Sequence, residues 1–308
     1  MFDGSLTDIK GILVGSAQNT QARTGCTVVL CPEGAVASAD VRGGGTGTRE
    51  TDIFREGMML EKIHGVFLAG GSAFGLDVGG GVMKYLEEQG VGFDVGVAKV
   101  PIVSGAILFD LAVGKSSVRP DGEMGYAACQ NASSSPVTQG CCGAGAGATV
   151  GKALGFERAS DAGLGSASIT LPDGTVIAAL AAVNALGDVY DYTTNEIIAG
   201  ARTDTGYLNT CDHLLSERLH TPASFVSNTT IGVIATNAAL TKNEAKRLAI
   251  MAHDGYALAI RPVHTPMDGD TVFALCTGEV EAEPTALFTA AGIVMARAIA
   301  NSIYAGRE

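Results

Sequence analysis

The residues Ser227-Asn228-Thr229-Thr230-Ile231 form a junction at which chemistry can be built. Ahead of it lies a polar, irregular stretch, 199–227, containing RTDTG, NTCDH and SERLHTPASFVS. Behind it, TTIGVIATN reads as a strand of nearly continuous apolar character. If the bond before Thr229 is cut, a hydroxyl is left at a sheet edge beside its own α-amine. A free α-amine titrates at about 8, far below a lysine, so part of it is neutral at pH 7 and can take the hydroxyl proton. Such a nucleophile needs no histidine. The five histidines, at 64, 213, 220, 253 and 264, show neither HExxH nor i, i+4 pairing. Taken alone, Asn228-Thr229-Thr230 also fits a simple turn entering a β-branched strand, because Asn commonly starts turns.

A second segment, Met267-Asp268-Gly269-Asp270-Thr271, follows about 40 residues later, just before another strand. In extended geometry its two carboxylates face one side. The pair can hold the ammonium of Thr229 and relay protons, although a solvated Asp-Gly turn has the same sequence.

Other familiar motifs fail on specific residues. Ala146-Gly147-Ala148-Thr149-Val150-Gly151-Lys152-Ala153 resembles a phosphate-binding loop but has Ala146 for its first Gly and Ala153 for the magnesium-holding Ser/Thr. Gly70-Gly71-Ser72-Ala73-Phe74 approaches a nucleophile elbow, but Phe74 stands where a small residue is required, so Ser72 is expected to be a helix N-cap. No GxGxxG follows a strand, and Asp268-Gly269-Asp270 is too short for a calcium loop. No metal and no cofactor are expected.

The elements that must position these residues are partly legible. GILVG, CTVVLC and AVASADV (11–40) and HGVFLAGG (64–71) read as strands, followed by a helix over about 72–89. Residues 93–114 are apolar and ambiguous, 120–132 predict a turn and a helix, and 139–152 a Gly/Ala loop running into a strand. The clearest hairpin is SASITL-PDG-TVIAALAAV, 166–183. Strands are expected over 229–236 and 270–276. A capping box at Thr241 and Glu244 opens a helix to about Leu258, and 284–304 is a long apolar helix expected in the core. The strands are too apolar for a sheet with one wet face. A layered α/β or α+β domain follows, covered on both sides.

Composition narrows the class. The chain has 308 residues, 46% hydrophobic and 17% charged, enough for a sizeable core. Its net charge of −12 disfavours nucleic-acid or anionic-membrane partners, which need basic patches. Seven cysteines without metal-site spacing read as buried reduced thiols. No secretory leader is visible and no apolar run approaches the roughly 20 residues of a membrane helix, which points to the cytoplasm.

Together the segments resemble the family of L-aminopeptidase/D-esterases, β-peptidyl aminopeptidases and nylon-oligomer hydrolases. The landmarks run in one order over about residues 8–302: TGCTVVLCPEGAVASADVRGG, HGVFLAGGSAFGLDVGGGV, GAILFDL, RPDGEMGYAA, GAGAGATVGK, AAVNALGDV, NTTIGVIATN and HTPMDGDTVFAL. The resemblance implies a four-layer αββα sandwich of N-terminal-nucleophile-hydrolase type, cut in cis into 1–228 and 229–308. It further implies amide hydrolysis of small peptides or amides, either aminopeptidase-like or endo-acting on linear amide oligomers, and a homo-oligomer of αβ units, a tetramer by analogy. An unprocessed scaffold of the same fold is the non-enzymatic alternative.

Carried over by motif, Thr229 is the nucleophile, Asn184 in AAVNALGDV an oxyanion contact, and Lys152 in TVGK a neighbour of the nucleophile. Asp268 and Asp270 orient the amine. The pairing of Asn228-Thr229 with the two Asp looks like the nylon-oligomer subset. One position departs: GAILFDL has Phe109 where some relatives have a Tyr that assists the oxyanion, leaving Asn184, main-chain amides or another group such as Tyr126 to contribute.

Overall fold

The computed structural model describes residues 1–216 and 228–306. Nine strands form the main sheet. They are β1 (Leu13–Asn19), β2 (Thr24–Val41), β3 (Thr48–Arg49), β4 (Lys62–Ala69), β5 (Val103–Ile107), β6 (Leu164–Thr170), β7 (Val176–Ala182), β8 (Ile231–Ala238) and β9 (Thr271–Val280). Their order is β6-β7-β8-β9-β2-β4-β5-β3, with β1 beside the first half of β2. The long β2 joins the two halves: residues 24–30 pair with β1, and 36–41 pair with β9.

Helices cover both outer faces. α1 (Val78–Glu88) and α2 (Gly122–Gln130) pack on β1, β2, β4 and β5, whereas α4 (Lys242–Ala259) and α5 (Pro284–Tyr304) pack on β2, β6, β7 and β9; α3 spans Thr210–Ser216. Alternation along β2 divides the core. Cys26, Val28 and Leu30 join Phe67, Val82 and Leu86 beneath α1 and α2, while Val29 and Cys31 join Val66 and Leu68 in the larger interior core. The result is the four-layer αββα arrangement.

Local chemistry accounts for the element ends. The 164–182 hairpin turns at Pro172-Asp173-Gly174, where Gly174 takes φ +86°. The Thr241–Glu244 capping box starts α4, and Pro284 with the Glu283 carboxylate starts α5. Small residues let the layers close. A Cβ on Gly165 would lie 2.0 Å from the Ala298 carbonyl, and one on Gly255 2.3 Å from that of Gly292.

Several expectations change. The ambiguous 93–114 stretch contains β5. Ser72 is not an N-cap: Gly71 holds that position in αL, and Ser72 itself has φ +54°. By length and composition α5 matches a membrane span, but 72% of its apolar window is buried against the sheet and α4, which explains its composition. Cys26, Cys31, Cys129 and Cys276 are buried thiols, whereas Cys141 is exposed and Cys142 and Cys211 are half-buried. Of the expected polar linker, 199–216 holds a short hairpin and α3; residues 217–227 lie outside the described residues.

Candidate active site

Strand register assembles the site. β8 and β9 run parallel with Ile231 opposite Thr271, and the pairing continues back to an isolated bridge between Asn228 and Asp268. Asp268-Gly269-Asp270 therefore lies alongside Asn228-Thr229-Thr230. The Gly269 amide donates to the Asn228 carbonyl at 2.9 Å, and the Thr271 amide to the Thr230 carbonyl at 3.1 Å. On the other side β7 runs antiparallel to β8 with Ala182 opposite Ile231, which brings the next residues of that chain to Thr229. The Thr229 amide donates to the Asn184 carbonyl at 2.7 Å. The Thr229 hydroxyl donates to the Asn228 carbonyl at 2.5 Å. Asn228, Thr229 and Thr230 are all buried, and among the described residues Oδ1 of Asn228 has no hydrogen-bond partner.

Lys152 enters from a turn that glycine makes possible. Gly151 has φ +69°, and a Cβ there would lie 2.0 Å from the Ala201 amide. The Lys152 ammonium donates to Asn184 Oδ1 at 2.9 Å and to the Ala185 carbonyl at 3.2 Å. The same Oδ1 accepts the Thr149 amide at 3.1 Å, and Asn184 Nδ2 donates to the Phe109 carbonyl at 3.0 Å. Phe109 thus serves the site through its main chain. Tyr126 does not join it: its hydroxyl donates to Glu88 at 2.6 Å and its ring packs on Tyr85, between α1 and α2.

The two carboxylates are held differently. Asp270 accepts the Thr230 amide (2.8 Å), the His264 amide (3.1 Å) and the His264 ring Nδ1 (2.7 Å). Asp268 accepts both the amide and hydroxyl of Thr265 through Oδ2, at 2.8 and 2.5 Å. Burial raises the Asp268 carboxyl to about 6, reinforced by the Asp270 charge and opposed by Thr265 and Lys152. Burial lowers Lys152 to about 7, against the pull of Asp268 and Asp270. Lys152 and Asp268 are therefore poised to change protonation near neutrality.

Sequence reasoning did not single out His264, Thr265, Gly269 or Asp188. His264 and Thr265 sit just ahead of the Asp pair, and their contacts with it depend on a fold-back that spacing does not display. Asp188 is fully buried. It accepts the Thr210 amide and hydroxyl and the Ala201 amide, tying α3 to the wall behind Lys152, while burial raises its carboxyl to about 6. A cavity of about 350 Å³ reaches Thr149, whose amide donates to Asn184, and is also lined by Arg23, Ala112, Val113, Phe156 and Arg202. Among the described residues, no group of three or more His, Cys, Asp or Glu side chains can hold a metal ion.

The layered fold is that of the N-terminal-nucleophile hydrolases. The solved L-aminopeptidase D-Ala-esterase/amidase of Ochrobactrum anthropi, described as a variant of that fold, superposes with a TM-score of 0.73 at 19% identity, covering 98% of this chain and 86% of that one. A Burkholderia β-aminopeptidase gives 0.66 at 21% identity, with the same coverage. The model of peptidase family S58 matches residues 4–308, and the chain belongs to that family. An uncharacterised aminopeptidase of Mycobacterium tuberculosis is 42% identical, across 98% of this chain and 93% of its own length. A 6-aminohexanoate-oligomer endohydrolase of Kocuria is 32% identical, across 90% and 76% respectively. The protein is an amide-bond hydrolase of the peptidase class.

Proposed function

We propose that the protein matures by cutting its own Asn228–Thr229 bond and then hydrolyses small peptides or amides with Thr229 as nucleophile. The observation that carries this reading is the Thr229 hydroxyl lying on the Asn228 carbonyl within a buried cluster of Lys152, Asn184, Asp268 and Asp270. In processing, Oγ1 bonds to the Asn228 carbonyl carbon, the C–N bond breaks, and the Thr229 nitrogen takes a proton to become an amine. The resulting ester is hydrolysed by water. In turnover, the freed α-amine takes the Thr229 hydroxyl proton as Oγ1 attacks a substrate amide, and returns it to the leaving amine. Water then releases the acyl group. The Asn184 carbonyl, which holds the Thr229 amide in the intact chain, is suited to orient the amine afterwards. Lys152 and Asp268 adjust the charge around it.

The cavity at Thr149 supports substrate entry next to Asn184. Aminopeptidase-like action is favoured by the higher identity to the mycobacterial aminopeptidases, 42% against 32% for the oligomer endohydrolase. Aminoacyl p-nitroanilides assayed against N-blocked oligoamides separate exo from endo action. The seven free thiols support a reducing, cytoplasmic setting. Assembly of several αβ units, a tetramer by analogy, is read by light scattering. The decisive test of the nucleophile is intact mass. Wild type splits into segments 1–228 and 229–308, whereas Thr229→Ala stays at 31.2 kDa and is inactive. An active, uncut wild type overturns the proposal.

A further inference from the structure

We infer that the main-chain amide of Gly269 is the oxyanion donor of this site, serving first the scissile carbonyl of Asn228 and then the substrate carbonyl. The inference rests on Thr229 being the nucleophile. The Asn228 carbonyl oxygen accepts two donors, the Thr229 hydroxyl and the Gly269 amide. When Oγ1 bonds to the carbonyl carbon, the π pair moves onto that oxygen and the hydroxyl proton leaves Oγ1 for the departing Thr229 nitrogen. The Thr229 donor is thereby lost, and the Gly269 N–H at 2.9 Å remains on the atom that has become negative. A neutral donor facing a developing oxyanion strengthens as charge grows, which favours the transition state over the ground state.

The donor is fixed before the reaction starts. The Asn228–Asp268 bridge sets its register. The Asp268 carbonyl, in the same peptide unit, accepts the Gly45 amide at 2.9 Å, and its side chain is held by Thr265. The absence of a side chain is also required: a Cβ on Gly269 would lie 2.5 Å from Thr229 Oγ1 and 2.6 Å from the Gly45 carbonyl. The Asn184 side chain bonds Lys152, Thr149 and Phe109, and Phe109 carries no hydroxyl. The Gly269 amide thus fills the role that Phe109 leaves open. Because the substrate carbonyl must meet the same Oγ1, it meets the same N–H.

The test replaces Gly269 by glycolate in a nonsense-suppressed full-length chain, exchanging the amide N–H for an ester oxygen. Processing at 228–229, and kcat of whatever matures, should fall by about 10²–10³, with KM unchanged. Glycolate at Gly140, whose amide donates to the Leu164 carbonyl outside the site at 2.8 Å, is the control for simple loss of a main-chain bond and should process at the wild-type rate. A Gly269 ester that processes as fast as the Gly140 ester overturns the inference.

A second measurement needs no variant to fold. Labelling Asp at its carbonyl carbon and Gly at nitrogen selects the five Asp-Gly peptides of the sequence. Addition of butylboronic acid, which forms a tetrahedral anionic adduct on Thr229, should move the Gly269 amide proton downfield. Inhibition without that shift overturns the inference. A wild type left uncut at 228–229 removes the nucleophile reading itself, whereas a cut wild type with a fast Gly269 ester removes only the role of Gly269.

Discussion

His264 holds Asp270 twice, through its main-chain amide and through its ring, and Asp270 in turn holds the amide of Thr230, the residue after the proposed nucleophile. His264 sits at φ +56° and its ring packs on His253, with centroids 4.8 Å apart. Asn tolerates that backbone, so His264→Asn should fold while losing the ring bond. A hydrogen bond to a charged group contributes roughly 1.5–3 kcal/mol, so processing should slow by about tenfold or more. Time courses on denaturing gels read this directly; an unchanged rate contradicts the positioning role of His264.

Lys152 should give processing a pH dependence. With its amine lowered to about 7 and Asp268 raised to about 6, the rate should climb between about pH 6 and 8 as both lose protons. Lys152→Met should flatten the part of that rise near 7. The stability sign follows from the same shift. Between about 7 and the ordinary 10.5 the unfolded chain binds a proton that the folded chain does not, so the Lys152 contribution grows as pH rises through that window. Urea midpoints of Thr229→Ala, with and without Lys152→Met, should diverge in slope between pH 7 and 9.

Gly151→Ala should harm both fold and site. Its φ is +69° and the new Cβ would meet the Ala201 amide at 2.0 Å, so the turn must move and carry Lys152 with it. Strain of this kind costs on the order of 1–3 kcal/mol. The readouts are a lower Tm and a processing defect in the same variant; a normal Tm with normal processing contradicts the geometry.

Asp188→Asn tests a support outside the reacting groups. Both carboxylate oxygens accept donors, and an amide nitrogen must face at least one of them. A loss of about 1–3 kcal/mol is expected at pH 7. Because the carboxyl is raised to about 6, the proton-linked part of its contribution is full at low pH and is lost as pH rises through that value, on top of the hydrogen-bond loss, so the difference from wild type should change most between pH 4 and 6.

Phe109→Leu should process within about tenfold of wild type, since apolar swaps of similar volume cost under ~1.5 kcal/mol and the contact with Asn184 comes from the main chain. A loss of a hundredfold or more assigns the ring itself to the reaction.

The sequence displayed what repeats or caps itself. The 164–182 hairpin, α4 with its capping box and the apolar α5 follow from periodicity and turn chemistry. The partners of Thr229 were named by motif resemblance, because their meeting depends on β8 lying between β7 and β9, a register that local sequence does not carry. Ser72 failed as an N-cap because Gly71 holds that position and Ser72 itself lies one residue further on at φ +54°. Tyr126 failed because its helix turns the hydroxyl toward Glu88. Gly269 was invisible because its contribution is an amide proton and a missing carbon.

The position of β8 and β9 bears on what a cut chain can do. Both strands belong to the proposed 229–308 segment, yet they are flanked by β7 and β2 from the other segment. Scission at Asn228–Thr229 would leave two polypeptides sharing one sheet, held by ladders on both borders. Separation then demands unfolding of the whole domain, and recovery becomes a bimolecular event. A precursor blocked at Thr229 should refold independently of concentration, whereas the mature pair should regain structure faster as its concentration rises.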